Sequence, residues 1–126
     1  MSLVNKSEFN LHGAQVLIDE ECYCSSVHCS YYSCLQRVKH LLETRYGITD
    51  STISIKKGER GSHDYMRATL SERIANPEYH TMFESYFNDL KTLRVKADYS
   101  NDDIIPDQAK KAHEKANELI KILKKL

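Results

Sequence analysis

The chain has 126 residues, the length of one ordinary domain. Hydrophobic residues make up 40% of it and charged residues 29%, a balance that excludes an intrinsically disordered protein. Its 18 basic and 18 acidic residues cancel, which argues against a dedicated duplex-DNA binder, because such proteins carry a basic excess.

Two helices are predicted in the first part of the chain. Apolar residues recur at helical spacing from Ser7 to about Glu21, and Ser7 is the predicted N-cap. A stronger apolar stripe runs without Gly or Pro from Tyr23 to Tyr46, and Gly47 stands where a C-cap glycine belongs. The length of this second helix predicts that it is the central and most buried one.

The middle of the chain interrupts the helical pattern. Residues 48–62 are rich in polar residues and glycine, and they predict a polar loop. Such a loop is long for a helical bundle, in which connections are about 2–8 residues. A short helix is predicted next, from His63 or Asp64 to Ile74, with Ser62 as its cap.

Two further long helices are predicted in the second half. Asn76 at the N-cap and Pro77 at the first helical position start one of them, and its apolar stripe continues to Ala97. Residues 98–105 predict a polar turn. Pro106 starts the last helix, which has an apolar face opposite a lysine-rich one.

These elements predict a single all-α domain over residues 1–126. Consecutive long helices with short connections pack antiparallel, so we expect an up-down bundle of four to five helices. No apolar run approaches the roughly 18–20 residues that a membrane span needs, and no signal peptide is visible. We therefore expect a soluble, cytoplasmic protein without membrane contact.

Four cysteines lie close together in the sequence: Cys22, Cys24, Cys29 and Cys34. On a helix, Cys22 and Cys29 share a face, whereas Cys24 points about 200° away from Cys22. Convergence on one metal would break the helix, so we expect no metal site and no cofactor. Small buried side chains in a reducing cytosol are favoured over a zinc site or a disulfide.

Arg94 is the most informative single residue. Phe83, Phe87, Leu90 and Arg94 are spaced 4, 3, 4, so an arginine continues a stripe that otherwise faces the core. Burying a guanidinium is costly unless it is paired, and Asp98 lies one turn later. Arg94 is therefore either half of a structural ion pair or a phosphate-binding group at the mouth of a cleft.

His63 and two adjacent tyrosines are the other candidates. His63 stands at the predicted start of a helix, where backbone N–H groups favour anions, but a solvated cap residue would occupy the same place. At least one of Tyr31 and Tyr32 must face the core, and the other either packs there too or lies at a subunit interface.

Five short motifs then suggest a family. In order along the chain they are Ser30-Tyr31-Tyr32-Ser33, Leu41-Leu42, Tyr46-Gly47, Gly61-Ser62-His63 and Arg94-Val95-Lys96-Ala97-Asp98-Tyr99. Together they cover most of the chain, which resembles the HEPN family of nucleotide-binding domains. The resemblance implies a helical bundle that commonly dimerises and binds RNA or a nucleotide. Many relatives are metal-independent ribonucleases, and several are toxins of toxin–antitoxin systems encoded beside a minimal nucleotidyltransferase.

The resemblance also implies specific site residues. The family signature is an arginine followed after four to six residues by a histidine, and Arg94 matches the arginine. Residues 95–105 contain no histidine, and Asp98, Tyr99 and Ser100 occupy the aligned region. Cleavage through the 2′-hydroxyl needs a proton acceptor near neutral pH, which histidine provides and a tyrosine with a pKa of about 10 does not. His63 is the candidate to supply it from another helix.

Three functions follow from these observations. The first is a non-catalytic or weakly catalytic HEPN-type module that binds RNA, a nucleotide or a partner nucleotidyltransferase, with Arg94, Asp98 and His63 at the ligand. The second is a metal-independent ribonuclease that uses Arg94 with Tyr99 or His63. The third is a purely structural interaction domain.

A homodimer is also expected. Exposed aromatic residues often mark interfaces, and two predicted helices carry more aromatic residues than one small core requires. These residues are Tyr31, Tyr32, Tyr79, Phe83, Tyr86 and Phe87.

Overall fold

The computed structural model describes residues 1–126, all of them helix, turn or connection, without a strand. The four long helices are α1 (Leu3–Asp19), α2 (Tyr23–Tyr46), α5 (Pro77–Tyr99) and α6 (Pro106–Lys124). Between them lie the short helices α3 (Asp50–Lys56) and α4 (Ser62–Ser71), with a 3-10 turn at Gly58–Arg60. The predicted all-α fold is confirmed. No helix is both long enough and apolar enough to cross a bilayer.

Side-chain contacts define the directions of the first two helices. The Ser7 hydroxyl of α1 donates to the Ser33 carbonyl of α2 at 2.6 Å, and the Ser26 hydroxyl donates to the Ala14 carbonyl at 2.7 Å. The sequence numbers rise on one helix as they fall on the other. Helices α1 and α2 are therefore antiparallel, and small side chains let their backbones approach closely.

The last two long helices continue the up-down order. Lys115 of α6 contacts Asp89 of α5 at 2.9 Å, and Lys96 of α5 lies 3.5 Å from Gln108 of α6, so α5 and α6 are antiparallel. Helices α2 and α5 are also antiparallel, because His28 contacts Asp98 and Tyr32 contacts Arg94. These helix pairs form the predicted antiparallel bundle.

Helix α2 lies at the centre of the core, as its length predicts. Its inward stripe has no exposed surface; these residues are Val27, Tyr31, Cys34, Val38 and Leu42. The helix ends at Gly47, whose φ of 65° is the left-handed conformation that glycine adopts most readily. The helix predicted to be the most buried is thus the one around which the others pack.

The predicted N-cap of α1 is wrong by five residues. The helix begins at Leu3, and the Ser2 side chain caps it by accepting from the Asn5 N–H at 3.1 Å. Ser7 is a buried interhelical donor instead of a cap. Serine suits both roles, and only the neighbouring helix distinguishes them.

The predicted loop over residues 48–62 is also wrong, because it contains α3 and the 3-10 turn. Thr49 caps α3 by accepting from the Thr52 N–H at 3.4 Å, and Ile53 is buried in the core. A helix of seven residues is unstable alone, so the burial of Ile53 in the core supplies the free energy that stabilises it.

Three other helix boundaries can be compared with the sequence predictions. Ser62 lies inside α4 rather than capping it, and Gly61 occupies the N-cap without a side-chain bond. Helix α5 continues through Tyr99, so Asp98 is helical and the predicted turn starts later. The Asn76 cap is confirmed, since its side chain accepts from two backbone N–H groups.

The Ser7 contact generates a stability prediction. Ser7→Ala removes one buried hydrogen bond and should lower the free energy of unfolding by about 0.5–1.5 kcal/mol. Ser7→Leu overpacks the α1–α2 seam and should cost about 1–3 kcal/mol. Urea denaturation measures both, with Ser25→Ala and Ser25→Leu as controls on the exposed face of α2. Equal costs at the two positions would contradict close packing at Ser7.

Candidate functional site

A cluster of polar and aromatic side chains forms where the start of α4 and the end of α5 meet the middle of α2. Tyr31 and Tyr32 of α2 lie at its centre. The Arg94 guanidinium carbon lies 5.4 and 5.5 Å from their ring centroids, and the His63 ring centroid lies 5.7 Å from each. The two tyrosines thus bring together an arginine and a histidine that are far apart in sequence.

Arg94 is held from several sides. Its Nη2 donates to the Tyr32 hydroxyl at 3.0 Å, and its Nε lies 3.1 Å from Asp98 Oδ2. The angle at Nε makes that contact an ion pair without a hydrogen bond. The ring of Tyr99 lies 5.3 Å from the guanidinium carbon. The ion pair with Asp98 that the helical spacing indicates is therefore present.

One edge of the Arg94 guanidinium remains free. The side chain is only 14% exposed, yet Nη1 donates to no protein atom and is not among the buried atoms that lack a partner. Nη1 therefore reaches solvent. A guanidinium presents several donors in a fixed plane, so this edge can receive an oxygen of a phosphate.

Asp98 has a second partner that sequence reasoning missed. His28 Nδ1 lies 2.9 Å from Oδ2 of Asp98 and 3.2 Å from Oδ1. The His28 ring also stacks on Tyr32, with ring centroids 4.5 Å apart. In the pairs Asp98–His28 and Arg94–Tyr32, the residue numbers rise along α2 as they fall along α5. The two helices are therefore antiparallel. In the sequence, the position of His28 four residues before Tyr32 already indicated that the two side chains share a face of α2.

Half-buried His63 and buried Tyr31 form a polar pair. His63 Nδ1 and the Tyr31 hydroxyl are 3.0 Å apart. Burial, followed by the positive charges of Arg94 and Lys91, lowers the pKa of His63. Burial also raises the pKa of the Tyr31 hydroxyl. Both groups are therefore neutral at pH 7, and the proton between them can belong to either partner.

The predicted site residues thus share one region. His63 contacts both central tyrosines, whereas Asp98 and Tyr99 contact Arg94 directly. Tyr99 is 73% exposed, whereas His63 is half-buried. No contact joins the two candidate proton carriers.

The cysteines and the core aromatics differ from expectation. All four cysteines are free, but only Cys34 is buried; Cys22 is exposed, and Cys24 and Cys29 are half-buried. No group of three or more His, Cys, Asp or Glu side chains is arranged to hold a metal ion. Of the six aromatic residues that suggested a homodimer, three lie in the core and the other three are partly buried against it.

No protein-family model, no curated protein and no solved structure matches this chain.

The lowered pKa of His63 can be tested directly. In an NMR titration its imidazole should titrate below the unfolded value of about 6.5. The unfolded chain then binds more protons, so the free energy of unfolding should fall as the pH drops below 6.5. Arg94→Ala removes a nearby positive charge and should raise the pH midpoint of the His63 titration.

Lys110→Ala is the matched control, because Lys110 is an exposed lysine of α6 with no ion pair. It should leave the His63 titration curve unchanged. A His63 midpoint at or above 6.5 in the wild type would contradict the burial and the charge environment described above.

Proposed function

We propose that this chain is a HEPN-type module that binds RNA or a nucleotide through a phosphate held at Arg94. The free Nη1 edge of the half-buried guanidinium carries the proposal. A surface arginine must lose conformational freedom to bind, whereas Arg94 is already held by Tyr32, by Asp98 and by two further tyrosine rings. Such preorganisation lowers the entropic cost of binding.

The counter-charge of Asp98 is compatible with this role. Asp98 balances Arg94 when no ligand is bound, and it keeps a hydrogen-bonding partner in His28 if a phosphate draws the guanidinium away. Its side chain is 20% exposed, so the pair lies at the edge of the core rather than inside it. A purely structural ion pair would make the same contacts, so variants are needed to distinguish a structural role from phosphate binding.

Arg94→Ala should weaken binding of single-stranded RNA by about 1.5–3 kcal/mol, the scale of a hydrogen bond to a charged group. Arg94→Lys should restore binding only in part, because an ammonium lacks the planar fork. Asp98→Asn should preserve or strengthen binding, since it removes the competing carboxylate. Fluorescence anisotropy and thermal melting of the same samples measure affinity and stability together.

Arg45→Ala is the control, because it removes an arginine that contacts only the chain end, at the Leu126 carbonyl. It should leave RNA affinity unchanged. If Arg94→Ala and Asp98→Asn both lower the melting temperature while RNA affinity stays at the wild-type value, Arg94 is a structural residue and the proposal is rejected.

A metal-independent ribonuclease is the second candidate, and the position of His63 favours it. The family signature places a histidine shortly after the arginine, and here His63 reaches the same two tyrosines from α4. When Nδ1 of neutral His63 donates to Tyr31, Nε2 is free to accept the proton of a 2′-hydroxyl. The 2′-oxygen then bonds to the adjacent phosphorus, and the 5′-oxygen leaves with a proton from solvent.

This second function predicts RNA cleavage in the presence of EDTA. His63→Gln should abolish cleavage and retain RNA binding, because glutamine can still bond to Tyr31 but cannot take up a proton. His12→Gln, on the exposed face of α1, is the control and should cleave like wild type. Cleavage that survives His63→Gln would exclude His63 as the base.

The remaining expectations from the sequence stay predictions. They are a partner nucleotidyltransferase, a toxin role, a cytoplasmic location, a homodimer and a catalytic contribution from Tyr99. The exposed ring of Tyr99 on the guanidinium is consistent with a contact to the ligand.

A further inference from the structure

A groove of about 350 Å³ opens beside this cluster, between α1, α2, α3 and α4. Ligand pockets span roughly 300–1,000 Å³, so the groove suits a small planar group better than a large ligand. The apolar side chains that line it come from all four helices: Leu3, Leu35, Ile53 and Met66. The cluster residues of α5, which are Arg94, Asp98 and Tyr99, do not line the groove.

The groove shares two residues with the polar cluster. Tyr32 and His63 both line it, and the Tyr32 hydroxyl accepts from Arg94 at 3.0 Å. A phosphate at Arg94 would therefore lie next to a residue that also lines the groove. Aromatic rings at the entrance of an apolar groove are the surroundings that nucleobases occupy in proteins that bind single strands.

The polar rim of the groove complements a nucleotide. Gln36 accepts from the Asn10 amide at 2.9 Å, and its own amide donors have no protein partner. Lys6 lines the groove without an ion pair, whereas Lys39 is paired with Asp50 at 2.6 Å. An unpaired ammonium and a free amide beside apolar side chains fit a base with its attached phosphate.

We propose that this groove receives the base of one unpaired nucleotide of an RNA strand whose phosphate lies at Arg94. The inference rests on the proposed function and names its substrate class as single-stranded RNA. A base within a duplex is stacked on both faces and paired at its edge, so it cannot enter such a groove. Gln36 would donate to an acceptor on the base, and Lys6 would contact a neighbouring phosphate.

A single tryptophan can report on the groove, because the chain contains none. Leu3→Trp places the only tryptophan at the groove, and Phe9→Trp places it on an exposed part of the same helix, outside the groove. Adenosine monophosphate should quench the Leu3→Trp emission saturably and leave Phe9→Trp unchanged. Ribose 5-phosphate, which lacks the base, should quench neither.

Affinity for a labelled single-stranded oligoadenylate provides an independent measurement. Gln36→Leu should weaken it about two- to tenfold, the scale of one neutral hydrogen bond. Lys6→Glu should also weaken it, whereas Lys110→Glu makes the same charge change on the exposed face of α6 and should have no effect. The same strand in a duplex should bind more weakly than the free strand.

The results separate this inference from the proposed function. If Arg94→Ala lowers RNA affinity while adenosine monophosphate leaves Leu3→Trp unquenched and Gln36→Leu binds like wild type, the groove inference is overturned and the phosphate site stands. If the groove variants respond as expected while Arg94→Ala binds RNA like wild type, the groove is a nucleotide site and the role of Arg94 fails. Equal quenching of Leu3→Trp and Phe9→Trp also overturns the groove inference.

Discussion

Tyr31 connects the hydrophobic core to the polar cluster, and the rest of the site depends on that connection. Its side chain has no exposed surface, and its ring packs edge-on against Phe87 at 5.6 Å. The same residue places its hydroxyl 3.0 Å from His63 and its ring beneath the Arg94 guanidinium. Buried hydroxyls are nearly always hydrogen-bonded, and His63 is the partner of this one. The candidate site and the core therefore share one residue.

The serine-lined contact between α1 and α2 determines how the other helices lie around Tyr31. Ser26 and Ser33 occupy the side of α2 that faces α1, and their small side chains allow hydrogen bonds between the two helices. A close approach on that side leaves the opposite side of α2, with Tyr31 and Cys34, to α5 and α6. Packing of this kind presents Tyr32 at the boundary between core and solvent, where its hydroxyl can reach Arg94.

At neutral pH the cluster contains a balanced ion pair and a neutral histidine. Arg94 is balanced by Asp98, which also has His28 as a partner, while His63 is kept neutral by burial and by the positive charges of Arg94 and Lys91. A phosphate at this position would meet one permanent positive charge, a neutral hydrogen-bonding histidine and several aromatic rings. These are the groups that recognise a nucleotide by its phosphate and its base.

The sequence by itself determined the long elements, because their signals are local. The apolar stripe of α2, Gly47 at its end, the Asn76 cap and Pro106 are set by the intrinsic geometry of a helix. The spacing of Arg94 and Asp98 on one helix likewise determined their ion pair. Only the tertiary structure decided that residues 50–56 are helical, since burial of Ile53 stabilises them, and that His63 and Arg94 lie against the same two tyrosines. That arrangement depends on α2, α4 and α5 converging on Tyr31, and no local pattern encodes the contact between Tyr31 and His63, which are 32 positions apart.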